Sequence, residues 1–188
     1  MELIKLFILG SAGYILLFIY DLSQLYNKPL IRYMSSVGFL LTGLPYVILI
    51  GKYGFVQLTL YEYIILFVLF LLTLLLVYSV LIEIPLYYHR SKPINCDKNE
   101  PEIYCYGTYS FSRHPGFIWY TCINIMFVAW NLKLFLLMMI LTAWNFLLIL
   151  IEDKYIFPKT FKGYDTYKKA VPFILSCKNV FLKGDHKA

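Results

Sequence analysis

Apolar residues in this chain fall in long blocks, not in the alternating or one-faced patterns of soluble strands and helices. Five blocks stand out: Leu3–Tyr20, Ser36–Ile50, Tyr63–Ile84, Gly116–Trp130 and Leu134–Ile151. The third contains IILFVLFLLTLLLVYSVLI, with no charge, long enough to cross a ~30 Å hydrocarbon layer at ~1.5 Å per residue. The second carries Gly43 and Pro45 and extends toward Leu30; a bend is expected at Pro45, whose missing N–H leaves a carbonyl free. Only Asn131, Leu132 and Lys133 separate the fourth block from the fifth, so these two form an antiparallel helical hairpin. Both are close to the minimum spanning length, and the hairpin either just crosses the layer or enters deeply and returns. Trp119, Trp130 and Trp144 serve as interface anchors or as walls of a pocket.

Composition agrees with the blocks. Of 188 residues 60% are hydrophobic and 15% charged, against roughly 25% charged in an ordinary soluble domain. A single all-α membrane domain over residues 1–188 is expected, a polytopic bundle of about five transmembrane helices. The first block lacks a basic head and a small-x-small site after Tyr20, so it reads as a retained helix and not a signal peptide. With the N-terminus outside, Lys5, Lys52 and Lys133 lie on the outer face and the other fourteen of the 17 Lys and Arg residues on the inner face. That asymmetry predicts N-out, C-in topology. The formal charge of +6 is then a rim facing anionic lipid, and no nucleic acid is needed to explain it. The four cysteines have no CxxC spacing, and His89, His114 and His186 form no ligand set, so no metal is expected.

Two inner segments exceed simple turns, Tyr87–Pro115 and Glu152–Ala188, and the second reads as an interfacial amphipathic tail. The first ends in GTYSFSRHPG, where Arg113 and His114 precede the fourth block directly; Glu152 and Asp153 follow the fifth directly. Because those blocks form a hairpin, its open ends must bring the Arg-His pair beside the Glu-Asp pair. An ionised group near hydrocarbon costs on the order of 2.5–3.5 kcal/mol, and pairing relieves it. Two donors and two acceptors exceed what one structural ion pair requires, and the surplus points to a polar ligand. The plainer readings are snorkelling for Arg113 and a solvated cap for Asp153. Glu83, at the end of the third block, reads as an interfacial charge, with a wall of an acceptor tunnel as the alternative. The tyrosines and phenylalanines read mainly as lipid-facing or packing surface. Pro115 suits the first turn of a helix, and Gly107 to Ser112 form a tight loop with backbone donors for an anion.

Gly107-x-Tyr109, Arg113-His114-Pro115, Glu152-Asp153 and the ending Phe161, Gly163, Tyr164, Tyr167, Val171, Pro172 resemble integral-membrane methyltransferases of the isoprenylcysteine carboxyl methyltransferase and phospholipid methyltransferase type. The resemblance covers residues 103–175, the catalytic core, and leaves residues 1–86 as scaffold helices. It departs from the family pattern at Thr108, Phe117, Asp153 and Ser176, and the Phe161–Tyr164 spacing is one residue short. It implies transfer of a methyl group from S-adenosyl-L-methionine to a lipophilic or small membrane-partitioning acceptor at the cytoplasmic face. It also implies that Tyr106, Gly107, Tyr109, Arg113 and His114 form the cofactor loop, closed by Glu152 and Asp153 and covered by Tyr164 and Tyr167. Arg113, His114 and Glu152 are the residues placed at the chemistry. The alternative is a non-catalytic membrane scaffold or binding protein of the same fold. A small transporter is disfavoured because no ionisable residue sits mid-span.

Overall fold

A computed structural model describes residues 2–24, 32–53, 58–83, 107–161 and 163–175. Within them the chain is all-α. Helix α1 (Glu2–Gln24) is followed by α2 (Arg32–Tyr53) and α3 (Leu60–Val77), which continues through a π-helical turn at Tyr78–Ile82. Helix α4 (Pro115–Trp130) turns at Leu132–Leu134 into α5 (Phe135–Ile151), which runs through a second π-helical turn at Glu152–Ile156. Short helices α6 (Phe157–Thr160) and α7 (Tyr164–Ala170) close the described part.

Four stretches are long and apolar enough to cross a membrane: Glu2–Ser23, Tyr33–Tyr53, Leu60–Ile82 and Leu132–Thr160. These are the segments of a polytopic membrane bundle. The fourth expected span, α4, is a shorter apolar helix of 16 residues, about 24 Å long at ~1.5 Å per residue. Its partners compensate for the length. At its C-terminal end Tyr61 donates to the Ala129 carbonyl at 3.1 Å, while Thr59 and Glu62 form a capping box that starts α3 alongside. Asn131 ends α4 and accepts from Lys133 N–H at 3.0 Å, which makes the expected tight hairpin turn.

Helix α1 packs along α2 and against α5; α4 lies between α5 and α3. The centre is formed by Phe127, Leu134, Met138 and Leu141, the last fully buried. Phe67, Phe70 and Leu136 are exposed, the arrangement required when the surroundings are lipid tails. Small residues let α1 and α2 meet closely. A Cβ on Gly13 would stand 2.7 Å from the Thr42 amide nitrogen and 2.9 Å from the Gly38 carbonyl oxygen. Pro45 lies inside α2, as the sequence placed it.

Three of the tyrosines, Tyr14, Tyr46 and Tyr120, pack between helices and join a polar network there. Tyr46 Oη lies 2.6 Å from Tyr120 Oη and donates to Asn124 Oδ1 at 2.8 Å. Asn124 then donates to Thr142 at 2.7 Å, and Asn145 to the Tyr14 hydroxyl at 3.2 Å. Four helices are tied together by these bonds. Tyr46→Phe is expected to lose about 0.6–1.7 kcal/mol, the range of interhelical hydrogen bonds in membranes. Unfolding in mixed micelles of increasing denaturing detergent measures that loss.

Candidate functional site

The site lies where the open ends of the α4–α5 hairpin meet the end of α3 and the C-terminal segment. Two π-helical turns shape it. In the first, the Glu83 N–H reaches back to the Tyr78 carbonyl; in the second, the Phe157 N–H reaches the Glu152 carbonyl. Such turns insert a residue into the helical repeat and re-aim the side chains around it. The consecutive carboxylates Glu152 and Asp153 thereby both turn inward, while Lys154 and Tyr155 stay exposed.

A short turn, Gly107–Ser110, faces these elements. Gly107 has φ +53°, the left-handed region that favours glycine. Thr108 donates its N–H to Glu83 at 2.7 Å and its hydroxyl to the same carboxylate. The interfacial reading of Glu83 is thus corrected: it is only 4% exposed and pins the loop. Tyr109 donates to the Ser79 carbonyl at 3.1 Å, and Tyr167 donates to the Tyr109 carbonyl at 2.7 Å. Farther on, Arg113 N–H donates to the Pro172 carbonyl at 3.0 Å, and the His114 N–H to the Ser112 hydroxyl at 3.1 Å. The loop is therefore held from both sides before Pro115 begins α4.

The two pairs predicted to meet do meet. Arg113 Nη1 lies 2.7 Å from Asp153 Oδ1, with both side chains 8% exposed. Tyr164 donates to Asp153 Oδ1 at 2.6 Å, and Lys168 Nζ reaches Oδ2 at 3.0 Å. Asp153, for which a solvated cap was the plainer reading, is instead the buried hub. His114 sits between the carboxylates, Nε2 3.7 Å from Asp153 Oδ1 and Nδ1 3.8 Å from Glu152 Oε2. Aromatic rings enclose it: Phe157 stacks on the imidazole with centroids 5.9 Å apart, and Phe173 meets it edge-on at 5.1 Å. The Arg113 guanidinium lies over the same Phe173 ring at 5.6 Å.

These surroundings set protonation. Burial, the largest influence, holds the His114 imidazole below its ordinary 6.5; Asp153 opposes that shift and Arg113 adds to it. Burial first, then the Asp153 carboxylate, pushes the Tyr164 phenol well up, so it remains a donor. The unfolded chain takes up a proton near pH 6.5 that folded His114 refuses, so this contribution to stability is full above that pH and falls below it. Thermal unfolding between about pH 8 and about pH 5 is expected to show that fall, and His114→Gln to flatten it.

Donors exceed acceptors at one side of the cluster. Arg113 Nε and His114 Nε2 are buried without a hydrogen-bond partner, and Arg113 Nη1 meets Asp153 by charge and distance without an aligned hydrogen bond. A buried donor left unpaired costs about 1–3 kcal/mol, so this is a place where a ligand with acceptor oxygens gains.

Of the residues selected from sequence, Arg113, His114, Glu152, Asp153 and Tyr164 share one cluster; Gly107, Tyr109 and Tyr167 build the loop beside it. Tyr106 lies outside the described residues. Sequence reasoning missed Lys168, Phe157, Phe173 and Asp21. Asp21 stands on the last turn of α1, the helix that packs against the Glu152–Ile156 turn. No family model, curated protein or solved structure matches this chain.

Proposed function

We propose that this chain is a membrane methyltransferase that binds S-adenosyl-L-methionine at the Arg113–His114/Glu152–Asp153 cluster and methylates a lipophilic or small membrane-partitioning acceptor. One observation carries the reading: unpartnered buried donors of Arg113 and His114 beside the mostly buried carboxylate of Glu152. The groups present fit a zwitterionic, hydroxyl-bearing ligand. Arg113 and His114 would hold its carboxylate, and Glu152 its ammonium or ribose hydroxyls. Asp153, Tyr164 and Lys168 would keep Arg113 in place, and the loop of Gly107 and Tyr109, with Tyr106 before it, would line the cofactor. When bound, the sulfonium supplies an already activated methyl group.

The chain's own task is then alignment and exclusion of water. Productive displacement needs the reacting atoms about 3–3.5 Å apart, which calls for a rigid floor. The hydrogen bonds from Thr108 to Glu83 and from Tyr167 to Tyr109 supply that rigidity. Phe157 and Phe173 cover the His114 face and keep water out. A carboxylate acceptor would need no base. An amine or thiol acceptor would lose its proton to neutral His114, which has one ring nitrogen free to accept. Lysine and arginine asymmetry supports a site at the cytoplasmic face, with the acceptor arriving from the lipid.

The second reading, a non-catalytic scaffold, draws on how completely Asp153 is engaged by Arg113, Tyr164 and Lys168. Membranes containing the protein, incubated with methyl-labelled S-adenosyl-L-methionine, separate the two. Label in a solvent-extractable product, lost in Arg113→Ala, supports the enzyme; an unlabelled extract with cofactor binding intact supports the scaffold.

A further inference from the structure

Two rows of aromatic rings meet at the His114 imidazole, and they end differently. On one side Phe157 stacks on the imidazole and leads to Phe161 at 5.4 Å and Tyr164 at 5.5 Å between centroids. These rings pack round buried Tyr167 and Val171, so that row ends inside the protein. On the other side Phe173 meets the imidazole at 5.1 Å, and Phe146 of α5 meets Phe173 at 6.2 Å. Phe146 also lies 5.7 Å from Phe117, on the first turn of α4. Phe146 is 37% exposed, beside the exposed Leu147 and Leu150, so this second row ends at the lipid-facing surface of the hairpin. The flank of α4 toward α3 is shut at the same level. A Cβ on Gly116 would stand 2.7 Å from Val80 Cγ2, which leaves no space there for even one more methyl group.

We infer that the apolar chain of the acceptor lies along Phe146 and Phe117 and that its reacting head reaches His114 past Phe173, which makes Phe146 a residue that determines acceptor specificity. The inference rests on the S-adenosyl-L-methionine reading and deepens it, because it selects acceptors in which a hydrocarbon chain is joined to a polar head. Phe146, Phe117 and Phe173 offer only carbon and hydrogen to whatever lies against them. The unpartnered donors of Arg113 and His114 come after them, with the guanidinium 5.6 Å from the Phe173 ring. A chain that leaves lipid for these rings gains by packing and not by escape from water, so a single ring has a moderate effect.

Methyl transfer by the full chain in detergent tests this, with methyl-labelled S-adenosyl-L-methionine and graded amounts of total lipid extract from the membranes that house the protein. Phe146→Ala is expected to raise the half-saturating amount of extract at least about threefold, the effect of losing several carbon–carbon contacts. Its maximal rate and its calorimetric affinity for S-adenosyl-L-methionine are expected to match the wild type. Phe146→Leu, which keeps apolar contact, is expected to stay within about twofold of the wild type. Phe67→Ala, on the lipid-facing side of α3, is the control and is expected to change nothing. If Phe146→Ala does not fold, Phe146→Trp takes its place; it narrows the same passage and is expected to raise the same half-saturating amount. An unchanged half-saturating amount, a shift shared with Phe67→Ala, or a lowered maximal rate alone overturns the role of Phe146 and leaves the methyltransferase reading in place. A folded wild type that labels no lipid overturns that reading and this inference with it.

Discussion

Asp153→Ala is expected to destabilise the site end of the bundle by about 3–5 kcal/mol, the loss usual when one partner of a buried ion pair is removed. The reason is asymmetric solvation. Arg113 is 8% exposed and would remain charged in the apolar setting of Phe173, with its nearest carboxylate gone. Tyr164, also buried, would lose its acceptor. Lys168 is the control: its side chain is 39% exposed, so it can turn to water. Lys168→Ala is expected to cost no more than about 1 kcal/mol. Unfolding of both variants in mixed micelles, followed by tryptophan fluorescence and by protease resistance of the C-terminal segment, gives the comparison. A loss from Asp153→Ala no greater than that from Lys168→Ala would show that Arg113 escapes to solvent.

Gly13→Val is expected to separate α1 from α2, at a cost of about 3 kcal/mol, the upper end of the overpacking range. The clash is with backbone on the facing helix: a Cβ would meet the Thr42 nitrogen at 2.7 Å and the Gly38 oxygen at 2.9 Å. Neither atom can rotate away as a side-chain tip would. Gly43 lies in α2 as well, and nothing stands within 4 Å of its added Cβ. Gly43→Val is therefore expected to leave stability almost unchanged. Monodispersity on size-exclusion chromatography and detergent unfolding separate the two outcomes. The clash reaches the site as well, because α1 packs against the Glu152–Ile156 turn.

The parts that sequence made legible are those fixed by local constraints. Hydrocarbon thickness demands unbroken apolar runs, so the blocks Tyr63–Ile84 and Leu134–Ile151 marked most of the helical stretches Leu60–Ile82 and Leu132–Thr160. The Asn131–Lys133 turn allowed one arrangement of its flanking helices, and with it the meeting of Arg113–His114 and Glu152–Asp153. Pro115 at the first turn of α4 marked the boundary. Parts that depend on packing between distant helices were not legible. A carboxylate at the end of an apolar run, such as Glu83, is ordinarily at headgroup level, and only the partner Thr108 reveals its burial. Helix α1 carries no local sign that it packs against the Glu152–Ile156 turn. Nothing local marks Tyr14, Tyr46 and Tyr120 as partners across helices, and Asn124 within an apolar helix was the available signal of a polar interior. The π-helical turns have no local sequence signature here, yet they decide that two consecutive carboxylates both face inward. Tyr167 has a further role that the sequence did not show, donating to the Tyr109 carbonyl and so supporting the loop.

Calorimetric titration of the purified, folded protein with S-adenosyl-L-methionine, beside His114→Ala, tests the account most directly. Saturable binding to one site per chain, lost in the variant while its unfolding remains cooperative, is the predicted result. No heat of binding from a wild-type preparation that unfolds cooperatively, or equal binding by wild type and variant, would contradict it.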